Sequence, residues 1–270
     1  MIHLEAVEVA GANQAREDEF PFTVPAVASL RGTRLRFPTE VTFLVGENGS
    51  GKSTLLEALA AAAGSITVGS EQVERDASLR HIQPLLKALR LSWVRKTRRG
   101  FFMRSEDFFG YARRIEQMRD ELEVERREIE ADTSRSPLVK ALTLTPYHSQ
   151  IGAIEQRYGA GLDSASHGES FLRLFQTRFV PNGLYLMDEP EAPLSPMRQL
   201  ALLSLIKECV EDSGAQFIIA THSPILMAAP RATIYSFDDG RVRQVAYEET
   251  EHFRFTRDFL NQRESFLRHL

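Results

Sequence analysis

A chain of 270 residues, 43% hydrophobic and 26% charged, has the apolar content of one large globular domain or two small ones. The formal net charge of −4 argues against a protein that coats nucleic acid generally, leaving room for local basic patches. A single cysteine, Cys209, excludes an intrachain disulfide framework, and the apolar pattern around it in ALLSLIKECVED predicts a buried thiol.

IHLEAVEV alternates apolar and polar residues and predicts a strand. The start of the sequence lacks a basic region followed by an apolar run, so no secretion signal is expected. LLEALAAAAG is too short to span a bilayer, and the expectation is a cytoplasmic protein. A polar turn region from Gly11 to Glu19 leads into EFPFTVPAVASL, whose two prolines predict an edge or loop. RLRF and VTFLV come next as strands, the second continuous enough to be central and buried.

GENGSGKST then matches G-x-x-x-x-G-K-[ST], between that strand and the helical pattern KSTLLEALAAAA. Gly46, Glu47, Asn48, Gly49, Ser50, Gly51, Lys52, Ser53 and Thr54 are the expected phosphate cradle. Glycines let the backbone wrap phosphates, and the helix N-terminus adds positive potential. Lys52 is expected to reach the β- and γ-phosphates of ATP, and the Ser53 hydroxyl to ligate Mg2+.

From Arg80 to Arg104 there are eight Lys/Arg and no acid. The run reads equally as a solvated face or as a DNA or protein client surface through Arg95, Lys96, Arg98 and Arg99. LSWVRK within it predicts a strand, and TRRG a loop. Phe108 to Ala131 predicts one charged helix of about 30 Å, with Tyr111, Ile115, Met118 and Leu122 on one face. Asp132 to Asp163, polar and broken by Pro137 and Pro146, predicts a loop-rich segment.

ASHGESF permits two readings. Ser166 and Glu169 fit a capping box opening a helix with Phe171, Leu172 and Leu174 inside. The same residues fit a clamp on a nucleotide held by a second copy.

After Gly183 a strand–helix rhythm returns: LYLM, PMRQLALLSLIKECVE, QFIIAT, a turn at HSP, and ATIYSF. DDG leads into a hairpin with RVRQVAY, and the C-terminal HFRFTRDFLNQRESFLRHL has a helical pattern. Two acids capping the apolar strand in GLYLMDEPE are costly without a cation. Asp188 is therefore expected to hold Mg2+, and Glu189 to polarise an attacking water. His222, just past the next apolar strand, is placed to hydrogen-bond a γ-phosphate.

Together GENGSGKST, SHGES, LYLMDEPE and ATHS resemble, in order and over nearly the whole chain, the ATP-binding cassette (ABC) ATPases. The DEPEAPLSPMRQ and FFMRSEDFF runs resemble stand-alone bacterial ATPases of that class, akin to its RecF-like and SMC-like branch. The resemblance implies an α/β P-loop NTPase fold with a mixed sheet flanked by helices. It further implies one domain over 1–270, with a helical subdomain inserted at 105–182. It implies an ATP-dependent head-to-tail homodimer in which Ser166, Gly168 and Glu169 meet the partner's nucleotide. The catalytic set would be Lys52, Glu189 and His222, in an ATP-hydrolysing switch with a role in DNA maintenance or defence. A transporter subunit and an ATP-liganded regulatory module are the alternatives. Three departures stand out: ASHG replaces LSGG, EAPLSP succeeds the acidic strand, and no glutamine falls between Pro84 and Glu116. Arg104 or Glu106 is the expected stand-in for that glutamine, and Phe20 and Phe22 are candidates to stack on adenine.

Overall fold

The computed structural model describes residues 1–10, 18–67, 77–158 and 167–268. In chain order the elements are β1 (Leu4–Val9), α1 (Pro25–Ser29), β2 (Arg34–Arg36), β3 (Val41–Val45) and α2 (Lys52–Ala63). A 3-10 turn at Ala77–Ile82 leads to α3 (Gln83–Ala88), β4 (Leu89–Trp93), β5 (Phe102–Arg104), α4 (Ser105–Ala131), α5 (Pro137–Tyr158) and α6 (His167–Arg178). The last third holds β6 (Leu184–Asp188), α7 (Pro196–Ser213), β7 (Gln216–Ala220), α8 (Pro224–Met227), β8 (Thr233–Ser236), β9 (Arg243–Val245), α9 (Glu251–Asn261) and α10 (Arg263–Leu267).

The strands form two sheets. A six-stranded sheet runs β5-β6-β7-β3-β8-β9, parallel except for β9, which pairs antiparallel to β8. A three-stranded antiparallel sheet runs β2-β1-β4. The continuous apolar strands have the burial that their composition predicts: every residue of β3, β6 and β7 is buried. Alternate side chains divide between two cores, as the period of two requires. Leu44, Leu184, Leu186, Ile218 and Ala220 join α2 and the antiparallel sheet. Phe43, Tyr185, Met187, Phe217 and Ile219 join Phe171, Leu174 and Phe175 of α6 and Leu202 and Ile206 of α7. The helices α2 and α6 therefore cover opposite faces of the large sheet. Cys209 is buried in the second core, and burial pushes its thiol up to about 11.

Three expectations are corrected. The segment expected to be loop-rich from Asp132 to Asp163 is mostly helical in its described part: α5 occupies Pro137–Tyr158, with Pro146 inside it, and 159–163 lie outside the described residues. Pro137 is the first helical residue, where a missing N–H costs nothing. Packing against α4 carries the chain past Pro146. The two helices run antiparallel, since Lys140 Nζ donates to Glu130 O at 2.8 Å and Tyr147 hydrogen-bonds Glu125. The turn between them is set by Asp132, whose Oδ1 accepts the Ser134 N–H at 2.9 Å. The helix expected from Phe108 begins at Ser105 instead, and its 27 residues reach about 40 Å. On its expected inner face, Tyr111, Ile115 and Leu122 are half-buried while Met118 is exposed. The third is EFPFTVPAVASL, which contains α1 rather than only an edge or loop. Among the described residues no helix is long and apolar enough to cross a membrane.

Candidate functional site

Three neighbouring parallel strands deliver the predicted residues to one edge of the large sheet. Adjacent strands lie about 4.8 Å apart, so the residues just past β6, β7 and β3 converge without help from distant loops. β3 runs into Gly46, β6 ends in Asp188 and Glu189, and β7 leads to Thr221 and His222. Backbone bonds fix the convergence: Glu189 N donates to Ala220 O at 2.9 Å, and Thr221 N to Leu44 O at 3.1 Å.

The loop after β3 needs its glycines. Gly51 has a φ of 103°, and a Cβ there would lie 2.4 Å from Val24 Cγ1. Gly46 has a φ of 141°, and a Cβ would meet Asp238 Oδ1 at 2.9 Å. Asp238 also accepts the Glu47 N–H at 3.0 Å, tying the loop to the end of β8. Lys52 is only 4% exposed and donates to the carbonyls of Gly46 at 2.6 Å and Glu47 at 2.9 Å, so its ammonium arches back over the loop. Burial holds its pKa below the ordinary value, against the pull of Asp188, Glu189, Asp238 and Glu47.

Asp188, 8% exposed, is pushed up to about 7. Burial is the chief cause; Glu189 and Glu57 add to it, while a hydrogen bond from Ser53 and the charge of Lys52 oppose it. Glu189 adopts a φ of 49°, unusual for a side-chain-bearing residue. Its Oε1 lies 3.3 Å from His222 Nε2. The distance suits a charge contact, but the direction does not make a hydrogen bond, and Nε2 has no hydrogen-bond partner. Ser105 Oγ donates to the Glu189 carbonyl and holds the turn from the β5 side.

Buried polar atoms are normally satisfied. Here Ser50 Oγ, Asp188 Oδ1, Glu191 Oε2, His222 Nε2 and His252 Nδ1 are all buried without a hydrogen-bond partner. Such a concentration fits a polyanionic ligand with a cation. Among the described residues no three His, Cys, Asp or Glu side chains form a self-sufficient metal cage. Mg2+ does not require one, because it takes one or two protein oxygens and completes its shell with phosphate and water. Ser53 and Asp188 fit that partial set.

The other predicted residues fall elsewhere. Ser166 lies outside the described residues, while Gly168 and Glu169 are in the first turn of α6. Arg104 is level with Asp188 across β5–β6, but its guanidinium reaches Glu57 at 3.5 Å. The side chain of Glu106 is not among those described. Phe22 is no adenine platform, being buried in the first core with Arg31 over its ring; Phe20 is half-exposed beside His81. Arg95, Lys96, Arg98 and Arg99 sit at the opposite end of the sheet: Arg99 O accepts from Leu184 N, at the start of the strand that Asp188 ends. That separation is about 13 Å of strand.

Sequence reasoning missed Glu191, Asp238 and His252. Glu191 Oε1 accepts the His222 N–H at 2.7 Å, and His252 Nε2 lies 2.8 Å from His222 Nδ1. Only the acidic residue two places after Glu189 could have been suspected, because the other partners come from distant segments.

A parallel sheet whose central strand opens a phosphate loop, flanked by a strand ending in Asp–Glu and another in His, is a P-loop nucleotide-binding architecture. Two family models match it: one described as "AAA domain" over residues 24–87, and one described as "AAA domain, putative AbiEii toxin, Type IV TA system" over 162–228. The first spans the phosphate loop and the second the Asp–Glu strand and His222. No curated protein matches the chain. Solved structures of similar shape include a nucleotide-free ATP-binding cassette from an ABC transporter, 15% identical, covering 94% of each chain, TM-score 0.47. Another is cbiO1 from Clostridium perfringens, part of the ABC transporter complex cbiONQ, 16% identical, covering 100% of each chain, TM-score 0.47. A third is the Smc head domain with an extended coiled coil bound to the C-terminal domain of ScpA, from Pyrococcus furiosus. It is 12% identical, covering 97% of this chain and 100% of that one, TM-score 0.43. With the phosphate loop, the Asp–Glu strand end and His222 in this order, and AAA-domain models matching the segments that carry them, the chain has a P-loop nucleotide-binding fold.

Proposed function

We propose that this chain binds Mg-ATP at the edge formed by β3, β6 and β7, hydrolyses it, and uses the cycle to close and reopen a head-to-tail dimer. The observation that carries the reading is the meeting of Lys52, Ser53, Asp188, Glu189 and His222 around buried polar atoms that lack partners. Bound Mg2+ would neutralise phosphate charge between Ser53 and Asp188. Lys52 and the loop amides hold the β- and γ-phosphates in line. Glu189 takes a proton from the attacking water as its oxygen bonds to the γ-phosphorus and the bond to the bridging oxygen breaks, releasing ADP and phosphate. His222 meets a γ-phosphate oxygen through Nε2.

A dimer is supported by the placement of α6. It lies across the sheet from α2, the helix that follows the phosphate loop, so the two helices face different sides of the molecule. Glu189→Gln is expected to cut turnover at least ~100-fold while accumulating an ATP-bound dimer in light scattering. A variant that stays monomeric with ATP and turns over normally sinks the mechanism. Ser166→Arg should block dimerisation and leave ATP binding to the monomer intact.

A second reading, for the client, rests on the basic run. Arg95, Lys96, Arg98 and Arg99 line a cavity of about 330 Å³ with His3 and Asn182, and no carboxylate lines it. Lys96 and Arg98 also border a second cavity of about 540 Å³ walled by Trp93. Cations beside a partly buried tryptophan that lines the same cavity suit a nucleic-acid strand, its phosphates on the cations and a base near the ring. Binding of a single-stranded oligonucleotide that weakens with salt, and weakens again when the four cations become glutamine, is the expected result. No binding at low salt removes the reading.

A further inference from the structure

The helix α9 sets a second histidine against His222. His252 is in its first turn, with Nε2 2.8 Å from His222 Nδ1 and the two rings inclined at 61°. At that distance a single proton joins the nitrogens, since two N–H groups would collide and two lone pairs would repel. Which ring supplies it is decided on the other side of His222. There Nε2 faces the Glu189 carboxylate at 3.3 Å, where a lone pair is repelled and an N–H is attracted. His222 therefore carries its proton on Nε2 and accepts at Nδ1, and His252 is the donor. Burial, with Lys52 and His252 beside it, keeps the pKa of His222 below its usual value, so a neutral ring has one proton to place.

Building on the hydrolysis reading, we infer that His252 is a positioning residue that locks His222 in the Nε2–H tautomer, keeping a donor available to a terminal phosphate beside the Glu189 carboxylate. The main chain of His222 is held independently, by the Glu191 carboxylate at its N–H. The anchor of His252 leads back to the same loop. Phe253 packs on Tyr247 at 4.5 Å, and the Tyr247 hydroxyl donates to the Pro224 carbonyl, two residues after His222.

Nitrogen-15 NMR of the histidine rings, paired with steady-state ATP hydrolysis, tests this on the full chain. Expected in the wild type is His222 protonated at Nε2, giving way to mixed tautomers in His252→Ala. In that variant kcat should fall roughly 10- to 100-fold with KM for ATP within about twofold, because the donor is lost and the cradle is not. His252→Gln, whose amide N–H can donate to Nδ1, should recover most of the rate and guards against a folding artefact. The double variant His222→Ala/His252→Ala should be no slower than His222→Ala alone, as expected of a residue acting through another. A wild-type His222 protonated at Nδ1, an unchanged kcat in His252→Ala, or losses that multiply in the double variant would each overturn the inference. The NMR arm needs no turnover: loss of the tautomer in His252→Ala by a chain that never hydrolyses ATP upholds the lock and sinks the hydrolysis reading.

Discussion

Asp188 shows how burial reshapes a single carboxylate. Its carboxyl is raised from 3.8 to about 7, chiefly by burial, so the folded chain retains a proton that the unfolded chain releases between those values. The stability associated with this group is complete below about pH 4, falls as pH rises toward 7, and stays low above. Asp188→Asn escapes the penalty. Without nucleotide or Mg2+ it should be more stable than the wild type at pH 8, by on the order of 2–4 kcal/mol, and no more stable at pH 4. Denaturant melts at the two pH values check this; equal gains at both would show that charge burial is not the cause. The reversal should come with Mg-ATP, which stabilises the wild type and not the variant. Glu189, held at a positive φ beside it, belongs to the same pattern of local cost at a site.

At the scale of elements, the α4–α5 hairpin departs furthest from its sequence pattern. Pro146 removes one backbone donor in α5 and sits on its exposed side. Near it, Thr143 and Thr145 hydroxyls donate to the carbonyls of Val139 and Ala141, four residues back, whereas the carbonyl left without its N–H by Pro146 is that of Leu142. Leu138 and Leu142, 71% and 68% exposed, share one face near the start of α5, so little of its tip is held by burial. Pro146→Ala should stabilise α5 locally by about 1–3 kcal/mol. Hydrogen exchange of amides from Val139 to Ile151 checks it, with slower exchange expected there and no change in β3 or β7. The proline pattern made this region look like loop, because propensity is local and the pairing with α4 is not. The helix at Lys52–Ala63 and the three central strands needed no such help: their composition and their packing agree.

For the whole molecule, one buried amide joins the two sheets. Gln216 Oε1 accepts the backbone N–H groups of both His3 and Leu4 at 2.8 Å, and its Nε2 donates to Leu4 O at 2.9 Å. Gln216→Leu would strand these buried groups and should cost about 2–4 kcal/mol, measured by chemical denaturation. A loss below ~1 kcal/mol would mean that water or relaxation satisfies them. Although β7 also leads to His222, Gln216 lies at the strand's other end, so the variant should lower ATP turnover only as far as it lowers the folded fraction.

By itself the sequence determined what is contiguous: a phosphate loop between a strand and a helix, an acid pair at a strand end, a histidine at another, and strands apolar enough to be central. Each is encoded within about ten residues, and each took the predicted local form. The tertiary structure alone decided what pairs across distance. It brought His252 and Asp238 to the site from segments with no motif, turned Glu191 onto the His222 backbone, and made a helix of the proline-bearing α5 by packing it on α4. It also set the basic run at the far end of the strands from Asp188. The physical reason is the same throughout: a motif records what one stretch of backbone must do, whereas burial and the direction of a hydrogen bond depend on which other stretch arrives beside it.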